Sequence, residues 1–383
     1  MRIALFFSYS TSLQDWLKAG FISRELKPFH DLSIKNGYKF YLITYGDESD
    51  FTLEENYLKQ YDIKVMPLKA FRGFKFIRNL AHIFSTLIKI DLFFSIQTTG
   101  LIAALPASYL FNKPLVSRSG YDVFAFSRNS KFFFKGFLLR ASEILASFTA
   151  SAFIFATQED LDSFSRRTKY LVLFNNKIFS RKVSTFILPN WVDTNIFAPT
   201  SGYINRSLDT NKINFLSIGR LESQKNYLSL ISILASSSYN FSLTIVGLGS
   251  EIIALENLSK KLSFDLTLLG KIDHNLLPKL INKYDLYIQN SLIEGNPKSV
   301  LEAMSCGAIV VCRDSPGIRQ LIDSNRNGYL YNTDNFDNVI STIVSSNNID
   351  MIKSNARQFI VNNYDYKTYL KSLKKILKSS ISY

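Results

Sequence analysis

Short runs of β-branched and aromatic residues alternate with longer amphipathic stretches along this whole chain. Strands are predicted at Ile3–Phe7, Phe40–Thr44, Ile63–Pro67, Leu92–Ile96, Leu115–Ser117, Phe153–Ala156 and Thr185–Leu188. The pattern then repeats at Ile213–Ile218, Ser242–Val246, Leu266–Leu269, Leu286–Gln289, Ile309–Val311 and Gly328–Leu330. Most intervals between them are long enough for a helix and carry helical apolar spacing. Parallel strands need such crossovers, so the alternation predicts an α/β fold with parallel sheets covered by helices on both faces. A chain of 383 residues has room for two such Rossmann-like halves. The pattern breaks at Pro189-Asn190-Trp191-Val192-Asp193 and the polar stretch from Thr200 to Lys212, which marks a boundary. The expected domains are residues 1–190 and 191–365. From about residue 366 to 383, Leu370, Leu373, Ile376 and Leu377 lie between lysines at helical spacing.

Hydrophobic residues make up 46% of the chain, and 32 phenylalanines supply large side chains for two cores. No apolar run is long enough for a transmembrane helix. The N-terminus reads as a first core strand rather than a secretory signal. Cys306 and Cys312 form neither a disulfide framework nor a metal site, which points to a reducing cytoplasm. His30, His82 and His274 are scattered and make no ligand set. The net charge of +14 is uneven: residues 1–190 hold 25 Lys and Arg against 15 Asp and Glu, the remainder 20 against 16. A basic first half suits an anionic surface, either nucleic acid or membrane. Nucleic-acid binding would need a recognisable module or a continuous basic, base-stacking groove, and the sequence offers neither.

The most informative local feature is Glu294-Gly295-Asn296-Pro297-Lys298-Ser299-Val300-Leu301-Glu302, continuing into Ala303-Met304-Ser305-Cys306-Gly307-Ala308-Ile309-Val310-Val311. Pro297 suits the first helical position. The amides of Ser299, Val300 and Leu301 would then point out of the helix start, where an anion binds well. Two carboxylates flank that anion site. The arrangement fits a ligand with hydroxyls at both ends and phosphate between, as in a nucleotide sugar. Upstream, Gly219 ends a predicted strand and is followed by Arg220 and Lys225, cations at the carboxyl end of a strand where ligands bind in open α/β sheets. A second turn, Val246-Gly247-Leu248-Gly249, also follows a strand. Asp273 is a plausible N-cap for a helix over Leu276–Tyr284, and His274 reads as structural.

The stretch from Glu294 to Val311 resembles the Glu-x7-Glu signature of retaining glycosyltransferases of the GT-B fold, and of glycosyltransferase family 4 in particular. Gly219-Arg220-Leu221 followed by Lys225 resembles the same family's diphosphate-binding motif. The Pro189–Phe197 segment resembles its interdomain linker. The resemblance implies two Rossmann-like domains facing a cleft, with the last helix crossing back to the first domain. It implies that residues 1–190 bind the acceptor and residues 191–365 the donor, a UDP- or GDP-linked sugar. It assigns Glu302 to the ribose hydroxyls, Glu294 to the transferred sugar, and Arg220 and Lys225 to the diphosphate. Gly219, Gly247, Gly295, Asn296 and Pro297 would shape the donor site. Retention of anomeric configuration follows, with no cofactor and no metal.

The first half departs from the family. Its first loop, Ser8-Tyr9-Ser10-Thr11-Ser12, has no glycine, and no histidine follows Pro114-Leu115-Val116. There Arg118, Gly120, Tyr121 and Asp122 are the candidates for the sugar and acceptor side, with Asp122 or Tyr121 orienting the acceptor. Two segments join basic residues to aromatics. On a helix from Phe71 to Lys89, Lys75, Arg78, His82 and Lys89 would share one face, with Phe74, Ile77, Phe84 and Leu87 elsewhere. Arg128 to Arg140 includes Lys131, Lys135 and four phenylalanines. Both suit an anionic bilayer. The expectation is a retaining hexosyltransferase acting on a glycan or polyprenyl-linked acceptor in bacterial surface polysaccharide synthesis, peripheral on the inner face of the plasma membrane. A GT-B nucleotide-sugar epimerase, a phosphorylase-like enzyme and an inactive GT-B scaffold are the alternatives. Oligomeric state is not legible.

Overall fold

The computed structural model describes residues 1–70, 73–120, 133–178, 183–200, 211–262 and 264–381. The chain divides into two compact units, Met1–Pro189 with Leu370–Tyr383, and Asn190–Tyr369.

The first unit holds seven parallel strands: β1 (Arg2–Phe6), β2 (Lys39–Thr44), β3 (Ile63–Pro67), β4 (Leu92–Ser95), β5 (Leu115–Ser119), β6 (Ala152–Phe155) and β7 (Ser184–Ile187), in the order β3-β2-β1-β4-β5-β6-β7. The second holds β8 (Ile213–Ile218), β9 (Phe241–Val246), β10 (Asp265–Leu268), β11 (Leu286–Gln289), β12 (Ile309–Arg313) and β13 (Tyr329–Tyr331), in the order β10-β9-β8-β11-β12-β13. Each of these strands overlaps a predicted one. The inner strands are apolar on both faces because helices cover both sides of a parallel sheet. Neighbouring residues of β8 show this. Phe215 joins a cluster with Tyr227, Leu243 and Phe336, whereas Leu216 faces Tyr287, Val300 and Met304 on the other side. In the first unit Phe93, Phe153, Phe155 and Phe164 pack in one core, which accounts for part of the phenylalanine content.

Strand order reverses beside β1 in the first unit and beside β8 in the second. At such switch points adjacent crossovers leave on opposite faces, opening a crevice at the strand carboxyl ends. β5 runs two residues further than predicted, so Arg118 and Ser119 lie inside the strand. Arg118 is buried there, in register with Ile154 of β6. The first loop lacks glycine, yet Ser10 adopts the left-handed conformation (φ 61°) that glycine usually supplies.

One buried carboxylate ties the start of the first unit together. Asp50 has no exposed surface. It accepts the Thr44 hydroxyl at 2.5 Å and the Leu13 amide, at the start of helix Leu13–Ala19, at 3.2 Å. Burial pushes its carboxyl above the ordinary range, partly offset by these donors. Asp50→Ala should cost about 1–3 kcal/mol, since both donors lose their acceptor in a dry site; urea unfolding checks this. A raised folded-state value means that the folded chain holds this proton more tightly than the unfolded chain. The stabilisation is therefore complete below the ordinary carboxylate range and is lost as pH rises through the raised value. Stability of the wild type relative to Asp50→Asn should fall over that rise.

Candidate donor-binding site

The loops after β8 and β11 meet at the switch point of the second sheet. After β8, Gly219 and Arg220 lead into a turn over Ser223–Lys225, with Asn226 in the left-handed region. After β11, the chain runs through Asn290 to Glu294. The two loops are stitched by backbone and amide groups. Leu292 N donates to Gln224 O at 3.0 Å, Gln224 Nε2 to Ile293 O at 2.8 Å, and Asn290 Nδ2 to Asn226 O at 2.9 Å. Their side chains converge: Lys225 Nζ lies 2.6 Å from Glu294 Oε1, with side-chain exposures of 12% and 10%. Gln289 Nε2 donates to the same oxygen at 3.1 Å, and the Tyr287 hydroxyl donates to Gln289 Oε1 at 3.1 Å. Burial raises the Tyr287 and Tyr227 phenols well above their usual range, so both remain neutral beneath the charged pair. Arg220 is exposed at the end of β8.

Glycines allow these loops to approach. Gly247, at φ +151°, packs so tightly that a Cβ would sit 1.9 Å from the Gly219 carbonyl oxygen. The second glycine turn is thus a packing partner of the first. Gly317, at φ +79°, lies under the acidic loop, where a Cβ would be 2.1 Å from the Glu294 carbonyl oxygen. Glu294 N donates to Pro316 O at 3.2 Å, so Pro316–Gly317 forms the floor of that loop.

The helix after the loop spans Lys298–Ser305, with Pro297 as its N-cap at ψ 110°. Pro297 is therefore the N-cap rather than the expected first helical residue, and the first-turn amides shift with it. Leu301 N already donates to Pro297 O at 3.2 Å, so its amide is not part of the anion site. Lys298, Ser299 and Val300 supply the amides of the first turn, and Pro297 has no side-chain acceptor for them. The Ser299 hydroxyl bonds Tyr287. Asn296 is also redirected. It is buried, its Oδ1 accepts the Asn190 amide at 2.9 Å, and its carbonyl accepts Asn190 Nδ2 at 2.6 Å. It anchors the turn at Gly295 and Pro297 to the start of the second unit.

Glu302 lies one turn inside this helix and is 4% exposed. Its Oε1 is 2.8 Å from His274 Nε2. His274, read from the sequence as structural, thus contacts Glu302. The predicted helix over Leu276–Tyr284 begins as a tight turn at His274–Leu276 and continues over Leu277–Ile281, and Asp273 makes no side-chain cap bond. On the first unit, Gly120 follows β5 and lies against Gln97, with a Cβ position 3.3 Å from Gln97 Oε1. Tyr121 and Asp122 lie outside the described residues, as does the segment from Arg128 to Phe132.

The site thus presents cations at Arg220 and Lys225, first-turn amides, and a carboxylate on either side of them along the chain. Gly317→Ala should lower stability by about 1–3 kcal/mol, because backbone oxygens rather than a flexible side chain block the added methyl. A urea midpoint equal to that of wild type would show that the loop yields freely.

Residues 205–343 match the family of glycosyl transferases group 1. An uncharacterized glycosyltransferase of Methanocaldococcus jannaschii is 26% identical over 182 residues, covering 45% of this chain and 46% of the relative. The UDP-Gal:alpha-D-GlcNAc-diphosphoundecaprenol alpha-1,3-galactosyltransferase of Escherichia coli is 28% identical over 206 residues, covering 47% and 50%. The chain thus spans about half the length of the curated relatives it matches. The crystal structure of HepE from Anabaena in complex with UDP aligns with a TM-score of 0.74 at 19% identity, covering 99% of this chain and 100% of that one. The chain has the GT-B fold, and its second unit resembles the glycosyl transferases group 1 across residues 205–343.

Proposed function

We propose that this chain is a retaining glycosyltransferase that moves a sugar from a nucleoside diphosphate to a hydroxyl of a lipid-linked glycan, in the assembly of a bacterial surface polysaccharide. The observation that carries the reading is the convergence of Lys225 and Glu294, 2.6 Å apart, at the switch point of the second sheet. In this reading Glu302 accepts the ribose hydroxyls, and Arg220, Lys225 and the amides of Lys298, Ser299 and Val300 hold the diphosphate. Glu294 receives hydroxyls of the transferred sugar. The bond from the anomeric carbon to the diphosphate oxygen breaks, and its electron pair leaves with the nucleotide. The acceptor oxygen bonds the same face of that carbon and passes its proton to the departing phosphate oxygen. Charge grows on the diphosphate throughout, and fixed cations and amides stabilise it without reorganising. This chemistry needs no resident cofactor, and the protein cations take the place a metal would have. HepE is described with bound UDP, and the Escherichia coli relative by a diphosphoundecaprenol acceptor; both support a nucleotide donor and a lipid-linked acceptor.

No helix among the described residues is long and apolar enough to cross a membrane. The first unit nevertheless carries an exposed apolar stripe. In helix Gly73–Leu87, Ile83 and Leu87 face the core, whereas Ile77, Leu80 and Phe84 are exposed, with Ile88 following the last turn. The Phe84 ring lies 4.8 Å from Phe111, linking the stripe to exposed Tyr109 and Leu110. Lys75, Arg78, His82 and Lys89 are exposed around it. An apolar stripe edged by cations matches an anionic bilayer, with about 1 kcal/mol for each cation near the surface. This supports a peripheral position on the inner face of the plasma membrane, where a lipid-linked acceptor would be met.

Calorimetry and thermal shift with UDP, GDP and their sugars test the donor site. One nucleotide should stabilise the wild type, and Arg220→Ala should abolish that shift. Glu302→Ala should weaken nucleotide binding roughly 10- to 100-fold, the worth of one charge-assisted hydrogen bond. Glu294→Ala should lower turnover by about 10²-fold or more while nucleotide affinity changes little. No shift with any nucleotide would favour the inactive scaffold. The chain should pellet with anionic vesicles at low salt, and Phe84→Glu should release it. Failure to pellet, or a dimer that Phe84→Glu dissociates, would remove the membrane reading.

A further inference from the structure

We infer that His274 is a positioning residue that sets Glu302 to accept a vicinal diol, the ribose edge of a nucleoside diphosphate. The inference rests on the donor-site reading above and adds a residue to it. Glu302 sits on a helix whose neighbours Val300, Leu301, Ala303 and Met304 are fully buried. A carboxylate in such surroundings must be hydrogen-bonded or it destabilises the fold. Among the described residues, His274 Nε2 at 2.8 Å is the one donor to its side chain. An ionised carboxylate offers about four acceptor positions, so one such bond leaves most of them open. Among the described residues Glu302 is held at one oxygen, which leaves its second oxygen to accept hydroxyls.

The imidazole is itself held in place. His274 opens the turn His274–Leu276, which is closed by Leu276 N donating to Asp273 O at 2.9 Å. The Phe197 ring packs beside it with centroids 5.0 Å apart. Its side chain remains 30% exposed, so the ring lies at the rim of the site rather than in the core. An imidazole N–H restricts the rotamers of Glu302 without bringing an ammonium that would swing and hold both oxygens. Preset geometry reduces the ordering that a ligand must impose on binding. His274 therefore contributes to affinity only through the ligand's hydroxyls.

That condition separates positioning from plain structural support. The test measures binding of UDP, or GDP if the wild type prefers it, and of the matching 2′,3′-dideoxy nucleotide. Wild type, His274→Ala and His274→Gln are compared by calorimetry, with unfolding of each free protein measured in parallel. His274→Ala should bind the ribonucleotide about tenfold more weakly, roughly one hydrogen bond to a charged group, and the dideoxy nucleotide as wild type does. His274→Gln carries an amide N–H at similar reach and should recover most of the loss. Equal losses for both nucleotides, no loss for either, or no recovery with Gln would overturn the inference. If His274→Ala does not fold, His274→Phe, which keeps a ring beside Phe197 but has no N–H, takes its place with the same expected outcomes. A wild type that binds no nucleotide would instead defeat the donor-site reading itself.

Discussion

The second unit is organised around an ammonium and a carboxylate 2.6 Å apart, each about nine-tenths buried. Such a pair pays heavily in lost hydration and persists only where its geometry is fixed and its remaining lone pairs are met. Both conditions are built from ordinary parts. Gln289 gives Glu294 a second hydrogen bond, and Tyr287 fixes Gln289. Gln224, Asn290 and the backbone of Leu292 lock the two parent loops together. The glycines at 247 and 317 back these two loops, one against the Gly219 carbonyl and the other against the Glu294 carbonyl, where no side chain fits. The charged pair thus dictates the packing around it as much as the packing holds the pair.

The strands were legible because they depend on local pattern. A parallel strand buried on both faces is a compact apolar run, and Leu92–Ser95 or Ala152–Phe155 can be little else. Lys225 and Glu294 were legible as candidates through motif resemblance, but their direct pairing was not. Sixty-nine positions separate them, and only the sheet order β8-β11 makes them neighbours. The helix start was misplaced by one residue for a definable reason. Proline fits both the N-cap and the first helical position, and the sequence does not fix its ψ. That single step exchanged Lys298 for Leu301 among the first-turn amides.

His274 and Gly317 illustrate a second kind of loss. A lone histidine near a helix start carries no pattern, and its partner lies 28 residues away. A signal existed in retrospect: Glu302 was assigned to a ligand inside an apolar helix, and such a carboxylate requires a donor. That donor comes from the loop after β10. Gly317, in Asp-Ser-Pro-Gly, reads as any turn glycine until the structure places Glu294 above it. Asn296 shows the converse. Its place inside the motif marks it as a shaper of the donor site, and its hydrogen bonds tie that turn to Asn190.

The chain leaves the first unit at Pro189 and returns to it at Leu370. During synthesis from the N-terminus, domains tend to fold as they emerge. The second unit is one continuous segment and has all its residues once Tyr369 has been made. The first unit, although most of it is made earlier, also contains Leu370–Tyr383, which follow the second unit in the chain. The residues of its basic surface and apolar stripe are therefore made before Leu370–Tyr383, the segment that belongs to the first unit in space but not in continuous sequence.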